Sequence, residues 1–179
     1  GTKMKPIHMA GPWITNHELN IVEDAMRNGW YENSYDYVEK FQREFAIYHD
    51  RKYGIMTPNC TTAIHLLLTA LGISEGDEVI LPECTWIATG AGITYLRATP
   101  IFCDIDPKNW CLDPRSVEKL ISPKTKAIIA VNLYGNMPQY DELTKLCSHY
   151  KIPLIEDSAE SVGSVYRGEI GRASCRERV

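Results

Sequence analysis

Between residues 53 and 156 the chain alternates short apolar runs with stretches of helical periodicity, and few architectures accept that rhythm. The apolar runs fall at 53–57, 78–81, 99–103, 127–132 and 152–156, and helical patterns at 61–71, 85–95, 114–121 and 139–150 lie between them. A strand buried on both faces reads as an unbroken apolar run, and strands separated by helices pair in parallel. The pattern therefore predicts an α/β fold: a mostly parallel sheet, helices on both faces, right-handed crossovers. Turn residues fall between the elements, at Gly72, Gly76-Asp77, Asp106-Pro107 and Ser122-Pro123. Two helices are expected ahead of the sheet. Thr15 is a natural N-cap for one that carries Leu19, Val22 and Met26 and closes at Asn28-Gly29. The other spans 37–49 with Val38, Phe41, Phe45 and Tyr48 on one face, after an irregular aromatic stretch at 30–35.

A chain of 179 residues, 44% hydrophobic and 23% charged, has the balance of one packed domain, which excludes disordered and fibrous classes. A formal charge of −4 makes nucleic acid and anionic membranes poor partners. No apolar run reaches the roughly 18 residues of a membrane span, and residues 1–12 show no basic-then-apolar leader, so a soluble, cytoplasmic protein is expected. The six cysteines (60, 84, 103, 111, 147, 175) form no C-x-x-C pair, and the five histidines are scattered, with His65 and His149 inside helical patterns. Neither a disulfide framework nor a metal site is expected, and most cysteines read as small buried hydrophobes. Residues 165–171 read as a hairpin. The stretch 172–179 has neither period and is set apart as a non-native tail behind a domain of residues 1–171.

Ligands of open α/β sheets sit at the carboxyl ends of the strands, so residues following the apolar runs are the candidates for chemistry. Glu156 and Asp157 emerge at the end of the last run. Asp157 is suited to face a cofactor's positive centre, although Asp157-x-x-Glu160 taken alone also fits a helix capping box, and there capping is the simpler reading. Pro58-Asn59-Cys60-Thr61-Thr62-Ala63 joins a strand to a helix, so free backbone N–H groups and two hydroxyls suit a phosphate; simple N-capping by Asn59 or Thr61 is the plainer alternative. Trp86, at the start of the following helix, can lie flat on a planar ring or pack in the core. No G-x-G-x-x-G and no P-loop occurs, which counts against nicotinamide and nucleoside triphosphate chemistry. Phosphate cradle, flat aromatic and buried carboxylate together describe a site for pyridoxal 5′-phosphate. Thr61 and Thr62 would hold its phosphate, Trp86 its ring face and Asp157 its pyridine nitrogen, as an aminotransferase requires.

The same residues lie in blocks that resemble the DegT/StrS-type pyridoxal-phosphate-dependent nucleotide-sugar aminotransferases. The blocks are NCTTAIHLLLTALGI (59–73), EGDEVILP (75–82), TWIAT (85–89), TPIFCD (99–104), TKAII (125–129), VNLYG (131–135) and IEDSAESVG (155–163). The resemblance covers residues 12–171 and implies the large domain of a fold-type I enzyme. It implies that Thr61, Thr62 and Ala63 hold the cofactor phosphate, that Trp86 stacks on the ring and that Asp157 pairs with its nitrogen. The side chain at 160 would lie near the phenolic oxygen; Glu160 in place of the usual Gln resembles the perosamine synthase-like branch, which acts on nucleotide-linked 4-keto-6-deoxy sugars with glutamate as amino donor. A homodimer sharing its active sites is likewise implied, within polysaccharide biosynthesis.

Two departures set further expectations. Cys60 stands where the family usually has glycine, and if that turn needs a positive φ, Cys60 strains it and weakens cofactor affinity. No lysine follows Lys151, so the family's cofactor-bonding, proton-shuttling lysine has no counterpart and the segment is expected to be an inactive N-terminal half. A sheet lacking later strands would expose an unpaired edge and aggregate. A sugar dehydratase of the same fold and a non-catalytic interaction module both stay open.

Overall fold

A computed structural model describes residues 11–166, and the backbone alone at Glu169–Ile170 and Arg176–Arg178. Two compact units divide the chain, Gly1–Met56 and Thr57–Val179. Cys175 and the neighbouring residues 167, 168, 171–174 and 179 lie outside the described residues.

In the first unit, α1 (Asn16–Asn28) and α2 (Asp36–Tyr48) match the predicted helices, with a 3-10 turn at Tyr31–Asn33 in the aromatic stretch. Thr15 starts α1 as a reciprocal cap: its hydroxyl accepts from the His17 N–H at 3.2 Å, and the Glu18 carboxylate accepts from the Thr15 N–H at 2.6 Å. The Thr15 hydroxyl and then its N–H hold the Glu18 carboxyl below its ordinary range. A depressed carboxyl contributes at neutral pH and loses that contribution as pH falls through its folded value. Tyr37 on α2 donates its hydroxyl to Asp24 on α1. The predicted strand at 53–57 does not form, and Tyr53 and Ile55 are 74% and 73% exposed. β propensity becomes a strand only through a ladder, and among the described residues no neighbour pairs with this run.

The second unit holds the predicted sheet. Its strands are β1 (Glu78–Pro82), β2 (Thr99–Cys103), β3 (Thr125–Val131) and β4 (Leu154–Asp157), mutually parallel in the order β2-β1-β3-β4. The short hairpin β5 (Val165–Tyr166) and β6 (Glu169–Ile170) forms a separate antiparallel pair. The strand β7 (Arg176–Arg178) adds antiparallel beside β4, in a stretch with no strand periodicity. Ladder hydrogen bonds are made by backbone, so they need no side-chain pattern. Helices α3 (Cys60–Ala70), α4 (Ile87–Tyr95), α5 (Pro114–Leu120) and α6 (Tyr140–Tyr150) sit at the predicted positions.

Strands β1, β3 and β4 are buried on both faces, which explains their unbroken apolar runs, whereas β2 at the sheet edge leaves Phe102 58% exposed. Ile155, Ile129, Val79 and Leu81 pack with Ile64 and Leu68 of α3 and Ile93 of α4. Leu154, Ile128, Ala130 and Ile80 pack with Val117 of α5 and Tyr140, Leu143 and Cys147 of α6. Residues alternate between these faces with period two, so Leu154 and Glu156 look toward α5 and α6 while Ile155 and Asp157 look toward α3 and α4. Gly92 brings the latter two helices together, since a Cβ there would meet Ile64 Cγ2 and the His65 nitrogen at 3.2 Å.

Cys103, Cys111 and Cys147 are buried, as their reading as small hydrophobes requires. Burial pushes the thiols of Cys103 and Cys147 up to about 12 and that of Cys111 to about 11. At pH 8 a thiol titrating near 12 is ionised in roughly one molecule in ten thousand. Iodoacetamide at that pH should therefore modify half-buried Cys84 while Cys103, Cys111 and Cys147 react only after denaturant is added, which peptide mass spectrometry will read directly.

Candidate active site

The strand order puts β2 on one side of β1 and β3 on the other, so the chain reverses direction across the sheet at the gap between β1 and β3. Loops leaving the carboxyl ends of strands diverge there and open a crevice. A cavity of about 320 Å³ lies at this edge, lined by residues that include Cys60, Thr61, Thr85, Trp86, Asp157 and Glu160.

Asp157 ends β4 opposite Val131 of β3 and is 5% exposed. A buried carboxylate requires donors, and the surrounding elements supply them. The Cys60 thiol, at the first residue of α3, donates to Oδ1 at 3.5 Å, and the Ala159 N–H to the same oxygen at 3.2 Å. The Thr89 hydroxyl, in the first turn of α4, donates to Oδ2 at 3.0 Å and itself meets Thr85 Oγ1 at 2.9 Å. No helix follows Asp157: residues 158–164 are turns, so the capping-box reading of Asp157 and Glu160 does not hold. Glu160 instead accepts the Tyr134 N–H at 2.6 Å, from the 3-10 turn Leu133–Gly135 that follows β3.

At the start of α3, Asn59 is the N-cap. Its side chain accepts from the Thr62 N–H at 2.9 Å and meets the Thr62 hydroxyl at 3.0 Å, and its carbonyl accepts from Ala63. Thr61 keeps its N–H and hydroxyl uncommitted among the described residues and lines the cavity. Of the six residues singled out in the sequence, Thr61, Trp86, Asp157 and Glu160 share the cavity wall; Thr62 and Ala63 lie behind them in the cap. Cys60 is not strained. It has no positive φ and opens a regular helix, so the concern raised by its replacing glycine lapses. Trp86 is the N-cap residue of α4 and 75% exposed, so it is not core.

A family model, the DegT/DnrJ/EryC1/StrS aminotransferase family, matches residues 12–176. The chain belongs to this family. Similar curated relatives include the GDP-perosamine synthases of Caulobacter vibrioides and Escherichia coli O157:H7, each 40% identical over 91% and 93% of the chain. Those matches cover 44% and 46% of the relatives, so the chain spans about half their length. Among solved structures, 3-amino-5-hydroxybenzoic acid synthase superposes with TM-score 0.88 at 32% identity, covering 93% of this chain and 44% of that one. NtdA from Bacillus subtilis, with bound cofactor PMP, superposes with TM-score 0.78 at 33% identity over 89% and 37% of the two chains. GDP-4-keto-6-deoxymannose-3-dehydratase, with a trapped PLP-glutamate adduct, gives 0.83 at 27% identity over 93% and 44%. The family's aminotransferases are dependent on pyridoxal phosphate, and the chemical make-up of this cavity fits that cofactor: uncommitted donors at a helix start, an exposed indole and a buried carboxylate.

The other carboxylate of the pair, Glu156, serves the scaffold. It is fully buried, and Asn132 at the end of β3 donates to it at 3.1 Å while also reaching Ser158 and Ser161 at 2.9 and 3.0 Å. Asn132 in turn accepts the Tyr140 hydroxyl at 2.6 Å, and its N–H donates to the Asp157 carbonyl at 2.9 Å. One amide thus ties the turn that carries Tyr134 to the loop that carries Glu160. Neither Asn132 nor the two threonines at 85 and 89 were assigned a role from sequence; the Thr-x-x-x-Thr spacing around Trp86, one helical turn, was the available signal. Replacing Asn132 with Ala should cost roughly 2–3 kcal/mol of unfolding free energy, the penalty of removing the partner of several buried polar groups, measurable by urea titration followed by circular dichroism.

Proposed function

We propose that this chain is the N-terminal part of the cofactor-binding large domain of an aminotransferase that acts on a nucleotide-linked 4-keto-6-deoxy sugar, with glutamate as amino donor. The domain proposed comprises residues 1–171, with 172–179 a non-native tail whose Arg176–Arg178 nonetheless pairs with β4. The carrying observation is that Thr61, Trp86, Asp157 and Glu160, drawn from separate loops, line one cavity at the strand-order reversal. Relatives named for GDP-perosamine and the Glu at position 160 favour a sugar with a keto group at carbon 4.

When bound, pyridoxal 5′-phosphate supplies an electron-withdrawing ring that accepts the electron pair left when a proton leaves the carbon beside an amine. Asp157 holds a proton at the ring nitrogen, which keeps that ring electron-poor. Its place at the end of a rigid strand fixes the charge before the reaction begins, so no reorganisation is needed at the moment charge develops. Thr61 offers an N–H and a hydroxyl to the phosphate at the positive end of α3. Trp86 covers one ring face and excludes water from it. Glu160, latched by the Tyr134 N–H, lines the cavity and would accept a proton or a hydrogen bond from the phenolic side of the cofactor. The proton-shuttling lysine and further substrate contacts belong to residues beyond this segment, and the whole enzyme acts as a homodimer.

A sugar dehydratase is the second reading, favoured by the similarity to GDP-4-keto-6-deoxymannose-3-dehydratase. Both would consume glutamate and release 2-oxoglutarate, and they part at the sugar: transfer keeps the nitrogen as an amino sugar, whereas dehydration loses a hydroxyl as water and releases the nitrogen as ammonia, leaving a deoxy keto sugar. The protein carrying this segment with its downstream half should be yellow, and its visible absorbance should move when glutamate is added. Asp157→Asn should lower turnover about 10²–10³-fold, the scale set by losing one preorganised electrostatic partner. Turnover unchanged in that variant would remove Asp157 from the mechanism, and a colourless protein would favour an interaction module.

A further inference from the structure

Asp157 is the residue any cofactor here would meet, and its own orientation is set by groups to which no role has been given. Oδ2 takes the Thr89 hydroxyl, and Thr89 is 1% exposed. A hydroxyl has one proton and an ionised carboxylate only accepts, so the Thr89 proton is spent on Asp157. The 2.9 Å contact between Thr85 and Thr89 must then run with Thr85 as donor and Thr89 as acceptor. The result is a chain of fixed polarity, Thr85 to Thr89 to Asp157, running from the cavity wall to the buried carboxylate. On the other oxygen the Cys60 thiol and the Ala159 N–H complete the clamp. A second lone pair on Oδ2 is taken by no described residue.

We propose that Thr89, supported by Thr85, is a positioning residue for this site. It turns the Asp157 carboxylate so that the remaining Oδ2 lone pair faces the pyridine nitrogen, and the same bond anchors the first turn of α4, which carries Trp86. One hydrogen bond therefore couples the ring's nitrogen partner to the residue on its face. Trp86 lies between Thr85 and Thr89 in sequence, so the contact between them braces the backbone that carries the indole. Cys60 is the weaker member, because a thiol is a poor donor and 3.5 Å is near its limit. The inference rests on the cofactor reading above.

The test uses pyridoxamine 5′-phosphate, which needs no lysine to bind, titrated calorimetrically into the protein carrying this segment with its downstream half. Thr89→Val keeps the shape and loses the donor; it should weaken binding about tenfold, the scale of one charge-assisted hydrogen bond. Thr89→Ser should restore affinity to within about twofold, and Thr85→Val should weaken it about threefold. A pyridoxamine phosphate analogue with C–H in place of the ring nitrogen isolates the cause. With it the Thr89→Val penalty should vanish, whereas a merely structural role would leave the penalty intact. Equal binding of the natural compound by wild type and Thr89→Val, or a penalty unchanged with the analogue, overturns the inference alone. Absence of binding by the wild-type chain overturns the cofactor reading and this inference with it. If Thr89→Val fails to fold, Thr85→Val against the same two compounds decides by the same comparison.

Discussion

A carboxylate taken out of water at the end of a parallel strand must be met by donors, and this requirement organises the site. Asp157 cannot be buried to 5% exposure without them, and no element of its own strand can supply them all. The start of α3, the first turn of α4 and the loop after β4 must converge on it, and each brings one donor. Convergence of those three elements is also what encloses the cavity. The acid, the start of α3 and the indole are thus products of a single packing problem.

The adjacent acid solves a different one. Glu156 and Asp157 are neighbours in sequence but face opposite sides of the sheet, so one carboxylate enters the cavity while the other enters a fully buried network. That network joins Asn132, Tyr140, Ser158 and Ser161 and holds the β3 and β4 exits together. Polar groups buried this way are costly unless satisfied, and once satisfied they specify one arrangement of the loops. The Glu160 latch on Tyr134 depends on that arrangement, because both residues sit on segments that Asn132 ties together.

How far the site could be read from sequence differs from residue to residue. Asp157 was legible because an acid after four apolar residues is a strand exit, and Trp86 because it opens a helix at the same edge. Thr62 and Ala63 were grouped with Thr61 by adjacency, but helix geometry turns successive residues by about 100° and sends Thr62 back to Asn59. The run at 53–57 has the composition of a strand and lacks a partner, while Arg176–Arg178 has a partner and lacks the composition. In both cases the ladder, which is a relation between distant segments, outweighed local preference.

By itself the sequence determined the α/β class, the positions of nearly all helices and core strands, and the family. These follow from periodicity and from motif blocks, both local along the chain. Only the tertiary structure decided that β3 crosses to the far side of β1, which opens the crevice, and that Thr89 and Cys60 close on the two oxygens of Asp157. Those partners are separated from it by 68 and 97 residues. A hydrogen bond over such a separation is created by packing α3 and α4 on one face of the sheet, and no local pattern encodes it.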